Sequence, residues 1–157
     1  MSKLSIAHPN WLQGYPSIFV LCFPVFWCLI TFLIGAFSGW LNLARKFRTE
    51  NEFEGEKFRF TSAYMRFYSH YGNILTFGAN SSGLYMSIFA LFRAGHPPLL
   101  IPWSEIKVIQ GEFGFLLKRR RLVLGREESI PLSISHSLTE HLKRAAGPAW
   151  PIESLGA

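Results

Sequence analysis

Hydrophobic and polar positions divide the chain into two unlike parts. From Ser17 to Trp40 the sequence SIFVLCFPVFWCLITFLIGAFSGW holds no Asp, Glu, Lys or Arg, and the charge-free run extends from Leu4 to Ala44. Read as a helix, Ile18 to Trp40 is roughly 34 Å long, enough to cross a hydrocarbon core with some tilt. The next stretch, SGWLNLARKFR, sets Trp40, Leu43, Ala44 and Phe47 at i, i+3, i+4 and i+7. That spacing predicts that the helix continues for two turns with one apolar face at headgroup level. Thr49 to Lys57 is polar and acidic and reads as a linker.

From Phe58 the period changes to alternation. Strands are predicted around Phe58–Thr61 and Tyr64–Tyr68, then at Ile74–Phe77 after a turn at His70–Asn73. The small-residue cluster Gly78–Gly83 leads into Leu84–Phe92, where Leu84, Met86 and Ile88 share one side. Gly95–Pro98 is a break. Leu99–Ile101 follows, and Pro102 marks an edge or a bulge. Ile106–Ile109 runs to a turn at Gly111–Gly114. Phe115–Leu117 and Leu122–Leu124 flank the basic run Lys118–Arg121 as a hairpin with a charged tip, and Ile130, Leu132 and Ile134 alternate as a last strand. Trp103 reads as a core tryptophan. Ser137–Glu140 then forms an S-x-x-E capping box, and Leu138, Leu142 and Ala145 form the stripe of a helix that Gly147-Pro148 ends.

The expected fold class is α+β: an N-terminal transmembrane helix, then a small β-rich domain of six or seven short antiparallel strands closed by one C-terminal helix. The expected divisions are a short external N-terminus at 1–16, the transmembrane helix and juxtamembrane collar at 17–48, the linker at 49–57, the β domain at 58–147, and a poorly ordered tail at 148–157.

Charge gives the first segment a direction. Lys3 is the only charged residue before the apolar run, and Arg45, Lys46 and Arg48 follow it closely. The positive-inside rule then places the C-terminal domain in the cytoplasm and the N-terminus outside the inner membrane. Trp11 and Tyr15 on one side and Trp40 on the other suit interfacial aromatic belts. The apolar core is too long and begins too late for a typical cleaved signal peptide. Pro24 should kink the helix. Thr31, Gly35 and Gly39 recur every four residues and would let a second helix, from itself or another membrane protein, approach closely.

The net charge is +6, with 16 Lys and Arg against 10 Asp and Glu. Beside a spanning helix, an anionic leaflet accounts for this excess more simply than nucleic acid does. The lipid-headgroup candidates are Arg45, Lys46 and Arg48 in the collar and Lys118, Arg119, Arg120 and Arg121 in the basic run. The alternative for that run is a solvated hairpin tip partly neutralised by Glu127 and Glu128. Cys22 and Cys28 both lie in the apolar stretch, six residues apart, and read as small apolar residues. His136 and His141 lack companions at metal-ligand spacing. There is no G-x-S-x-G, no H-E-x-x-H and no P-loop lysine. No catalytic residue, metal or cofactor is expected.

The strand order with one C-terminal helix, and the segment GLYMSI…HPPLLIPWSEI, resemble bacterial pleckstrin-homology-like or GRAM-like domains over Phe58 to Gly147. SGWLNLARKF and GHPPLLIPW are also similar to segments of small uncharacterised bacterial single-pass membrane proteins. The resemblance implies a module that binds lipid headgroups, peptides or protein surfaces. It transfers no ligand, because only Arg66 is basic between Phe60 and Ile74. The functional expectation is a membrane-anchored, non-catalytic binding or adaptor module contacting anionic lipid or a protein partner. The alternatives are an accessory subunit joined to a larger membrane complex through its helix, and an enzyme whose site assembles across distance.

Overall fold

Gly39 splits the N-terminal apolar stretch into two helices with different surroundings. The structure is a computed structural model that describes residues 15–66, 69–113 and 119–155. Helix α1 runs Tyr15–Ser38 and includes Pro24. Helix α2 runs Trp40–Phe47. The expected continuous helix is broken because Gly39 sits at φ 87°, a left-handed conformation that costs glycine little. Only 11% of the Val20–Ser38 segment is buried, and it is long and apolar enough to span a membrane. Trp11, Lys3 and His8 lie outside the described residues.

The eight-residue α2 has the face that its spacing predicts, but that face meets protein. Trp40 and Leu43 are fully buried, and Ala44 and Phe47 pack beside them against the domain core. The Trp40 indole Nε1 donates to the Pro97 carbonyl at 2.9 Å. The collar expected at headgroup level is therefore a core element. Burying a tryptophan contributes more than resting it at an interface would, and the break at Gly39 lets the face turn inward.

The β domain comprises β1 (Glu56–Met65), β2 (Ser69–Ala79), β3 (Gly83–Ile88), β4 (Leu99–Pro102), β5 (Ile106–Phe113), β6 (Arg119–Leu124) and β7 (Ile130–Ser135). Helix α3 (His136–Ala146) and strand β8 (Glu153–Leu155) complete it. The strands form one sheet in the order β4-β3-β2-β1-β7-β6-β5-β8. All neighbours are antiparallel except β5 and β8, which are parallel. The sheet is thus mixed and eight-stranded, where six or seven antiparallel strands were expected. The extra strand comes from the tail. Glu153 and Ser154 register with Val108 and Ile109, and Trp150 packs on Trp103 with ring centroids 5.3 Å apart.

A second difference lies in β2. His70–Asn73 was expected to turn, yet Ser69–Ala79 is one strand. Asn73 carries the irregularity at φ 51°, and the Ser62 hydroxyl accepts its N–H at 2.9 Å. An Asn can adopt that conformation within a bulge, so turn-forming residues need not end a strand.

Elsewhere alternation and burial agree. Ile130, Leu132 and Ile134 are all fully buried, as are Leu84 and Met86. Pro102 ends β4, an edge strand. That edge is partly covered where Arg48 bridges Leu99 and the Thr49 N–H donates to the Pro98 carbonyl. Trp103 is buried, and its indole N–H donates to the Asn80 carbonyl at 2.8 Å. Helix α3 starts earlier than its capping box predicts. Ser135, not Ser137, is the N-cap, accepting the Leu138 N–H at 3.3 Å. Leu138, Leu142 and Ala146 are its buried stripe, and Gly147 at φ 57° ends it.

Candidate functional site

The last three turns of α1 lie against the β domain, and this seam is built from unlike parts. Trp27 donates its indole N–H to the Leu91 carbonyl at 3.0 Å and packs on the Phe92 ring at 5.4 Å. Leu91 and Phe92 belong to a 3-10 turn, Ala90–Phe92, that follows β3. Lower down, Gly35 faces Gly95 so closely that an added Cβ would lie 2.5 Å from the Gly95 carbonyl oxygen. Gly95 itself, at φ 76°, meets the Phe32 backbone. Two glycines therefore let a helix and a loop touch main chain to main chain.

At the foot of the helix, three polar side chains join. The Tyr71 hydroxyl lies 2.8 Å from Ser38 Oγ and 2.9 Å from His96 Nε2. His96 Nδ1 donates to the Ala94 carbonyl at 3.1 Å, so in the neutral ring Nε2 is the acceptor for the Tyr71 hydroxyl. Burial lowers the His96 pKa from its ordinary 6.5, which keeps the ring neutral. Burial also pushes the Tyr71 phenol up to about 12. The Trp40 ring sits 5.2 Å from the His96 ring, sealing the network from below. Above it, a largely apolar crevice of about 370 Å³ opens between Thr31 and Ile34 of α1 and Ile74, Ile88 and Phe92 of the domain.

This geometry relocates the helix-pairing candidates. The Thr31 hydroxyl donates to the carbonyls of Trp27 and Cys28, one turn back in its own helix. Gly35 is covered by Gly95, and a Cβ on Gly39 would meet Ile130 at 2.6 Å. The small-residue face is occupied by the chain's own domain.

The headgroup candidates do not converge. Arg45 is exposed on α2. Lys46 pairs with Glu127, and with Glu128 at 3.1 Å. The hydrogen bonds that Lys46 donates to Glu127 and Glu128 raise its pKa. A bond from its own backbone N–H, and then Lys46, lower that of Glu128. Glu127 and Glu128 thus serve α2 and not the basic run that they were expected to neutralise. Arg48 bonds Glu50 at 2.8 Å.

The basic run is strand and not tip. Arg119, Arg120 and Arg121 open β6 and register with Ser135, Ile134 and Ser133. Arg119 covers the Tyr64 ring at 4.2 Å, and half-buried Arg120 reaches Glu153 of β8 at 3.4 Å. Lys118, with Phe115–Leu117, lies outside the described residues. His141 stacks on Phe58 at 5.4 Å, and no metal-binding group of His, Cys, Asp or Glu occurs among the described residues.

A different set of cations does converge. Lys57 and Arg59 of β1 and Arg93, just after the 3-10 turn, surround a cavity of about 280 Å³ on the outer face of β1–β3. Thr76, Tyr85 and Ser87 line it between them, and Phe60, Phe89 and Ala90 form its lip. No carboxylate lines it. A larger open groove of about 680 Å³ shares Arg93 but also contains the Arg48–Glu50 pair, so its charge is mixed. One sequence signal pointed to the smaller cavity. Lys57 and Arg59 are two apart, the spacing that shares a strand face. Arg93 had none, because it arrives from another loop.

Comparison with protein-family models, with curated proteins and with solved structures gave no match.

Proposed function

We propose that this chain is a single-pass membrane protein that holds a pleckstrin-like β domain at the cytoplasmic face of the inner membrane. There it acts as a non-catalytic binding module for anionic lipid or a protein partner. One observation carries the reading: α1 is apolar and exposed on its outer face while its lower half is joined to the domain through Trp27, Gly35 and Ser38. A tether of this kind fixes the domain's height and orientation. Its contacts then act at high effective concentration, so a weak affinity suffices. The basic flank Arg45, Lys46 and Arg48 supports the inward orientation. Two antiparallel meanders, β1–β4 and β5–β7, joined through β1 and β7 and followed by α3, support the pleckstrin-like reading. Association through Gly35 and Gly39 is the weaker alternative, since Gly95 and Ile130 cover those residues.

The test uses the full chain with a different tag at each end, expressed in a bacterial inner membrane. Alkaline carbonate should leave it in the membrane pellet. Protease added to intact spheroplasts should remove the N-terminal tag alone. Release by carbonate, or loss of the C-terminal tag to external protease, would overturn the reading.

A further inference from the structure

We infer that the crevice between α1 and the β domain binds an uncharged single-chain amphiphile with a hydroxyl head, its chain against Ile34, Ile74, Ile88 and Phe92 and its head at Ser69 and His70. Supply of this ligand from the surrounding leaflet rests on the membrane reading above; the crevice itself does not.

The seam closes at both ends and gapes between them. At its upper end the Trp27 indole bonds the Leu91 carbonyl, and the Phe92 ring packs on it. At its foot Gly35 meets Gly95 main chain to main chain, and Tyr71 bridges Ser38 and His96. A helix pinned at two levels is not loosely seated, so the gap of about 370 Å³ is a shape that the fold holds open. Close-packed interiors keep few voids larger than a water molecule, and an apolar cavity of about 150 Å³ already takes up benzene. This one falls within the roughly 300–1,000 Å³ of small-molecule sites. Ile34 is 43% exposed, so the crevice opens onto the apolar outer surface of α1, along which an apolar molecule can enter.

The lining decides the chemistry of the ligand. Thr31, Tyr71 and His96 reach the crevice but make their hydrogen bonds within the protein. The interior therefore has no polar group that calls for water, and its free surface is apolar. Ser69 and His70 begin β2, beside Tyr71 at the foot of the seam. Among the described residues neither the Ser69 hydroxyl nor the His70 imidazole has a hydrogen-bond partner. His70 is exposed and stacked on Tyr64 at 4.4 Å, which holds its ring at the rim. No Lys, Arg, Asp or Glu lines the crevice. An ionised head would lose water there without gaining a counter-charge, whereas a hydroxyl both donates and accepts. Orientation agrees with the membrane reading. Thr31 and Ile34 lie seven and four residues before Ser38, roughly 10 and 6 Å along the helix axis. The polar rim is thus at the cytoplasmic end and the apolar end points toward the bilayer centre, as in any amphiphile of the inner leaflet.

The experiment is photolabelling of the full-length chain in phosphatidylcholine nanodiscs by a monoacylglycerol that carries a diazirine in its chain. Labelled positions are mapped by mass spectrometry. Saturable labelling is expected at Ile34, Ile74 and Ile88. Unlabelled monoacylglycerol should compete for it, and lysophosphatidic acid of the same chain length should compete far less. Ile74→Trp fills the crevice from a half-buried position. Excluding even two methylenes of the chain should weaken saturable capture about tenfold, with an unchanged melting curve showing the fold intact. Thr31→Leu fills the crevice from the helix side and should act alike, so the test does not hang on one variant. Phe37→Ala, on the outer face of α1, should leave capture unaltered. Labelling that never saturates, or that is confined to the outer face at Phe26, Leu29 and Phe37, would overturn the assignment. So would full saturable capture in a folded filled variant. Equal competition by lysophosphatidic acid would overturn the uncharged head. Carbonate release of the wild type would overturn the membrane reading and not the crevice, so the two failures are distinguishable.

Discussion

Helices α1 and α2 are neighbours in sequence and end in opposite situations. The outer face of α1 is apolar and remains uncovered, whereas α2 has one apolar stripe, which closes the β domain. A single residue separates them. Gly39 turns the chain so that Trp40 faces Pro97 and Tyr71. The lesson is that the boundary between the exposed apolar helix and the domain lies at Gly39, inside the apolar stretch, and not at the polar linker. Phe53 within that linker is itself buried, stacked on Tyr85 at 4.7 Å.

The contrast can be broken most forcefully at Trp40. Trp40→Ala should destabilise the domain by about 3–5 kcal/mol, seen as a lowered denaturation midpoint of the full chain in detergent. Phe26→Ala on α1 should leave that midpoint unchanged. Equal losses from the two substitutions would erase the distinction between the helices.

Gly35→Leu attacks the seam alone. Its side chain must displace the Gly95 carbonyl or push the helix away. Overpacking of this kind costs about 1–3 kcal/mol. Faster hydrogen exchange should appear at His96, whose N–H donates to Arg93, while β6 and β7 stay protected. Uniform loss of protection would mean that α1 and the domain unfold as one unit.

Acid should loosen the same seam more gently. The His96 pKa lies below its ordinary 6.5, so the separated or unfolded state takes up the proton first. The neutral seam is fully stable above 6.5 and loses stability as pH falls through that value and below it. Exchange at His96 and Tyr71, compared on either side of 6.5 and corrected for intrinsic rates, should rise in wild type and stay flat in His96→Phe. Raised protection in acid would reverse the sign and refute the account.

The smallest effect is expected at Lys46→Ser. Lys46 and its partner Glu127 are open to solvent, and only Glu128 is tucked against the domain. Such pairs are screened by salt and contribute little. The denaturation midpoint should hardly move, and any difference from wild type should vanish in high salt.

Much of the β domain was legible because one face of each strand is buried, which writes period two into the sequence. Ile130, Leu132 and Ile134 are the clearest instance, and the stripe of α3 was equally visible. What escaped detection depended on partners remote in the chain. Glycine in an apolar run reads as a helix residue, so the break at Gly39 had no local mark. Asn73 reads as a turn former, yet Ser62 across the sheet holds it in a bulge. The tail reads as disordered because its partner strand β5 lies far upstream. The same holds for charge. Four consecutive cations at 118–121 read as a charged tip, but Arg119 and Arg120 meet Tyr64 and Glu153 within the fold. The cations that converge come from two segments and are unremarkable in either.

Gly39 against Ile130 has a consequence for how the protein is made. Helices α1 and α2 are synthesised before the strand that covers Gly39, which follows about ninety residues later. At ribosomal speeds of about 5–20 residues per second, α1 waits several seconds for that strand. During that interval Trp40 and Leu43 have no core to enter, and an amphipathic helix without a core rests on the nearest apolar phase. If α1 spans a membrane as proposed, the bilayer surface holds α2 until the sheet arrives, and the domain completes its fold at the membrane and not in free solution.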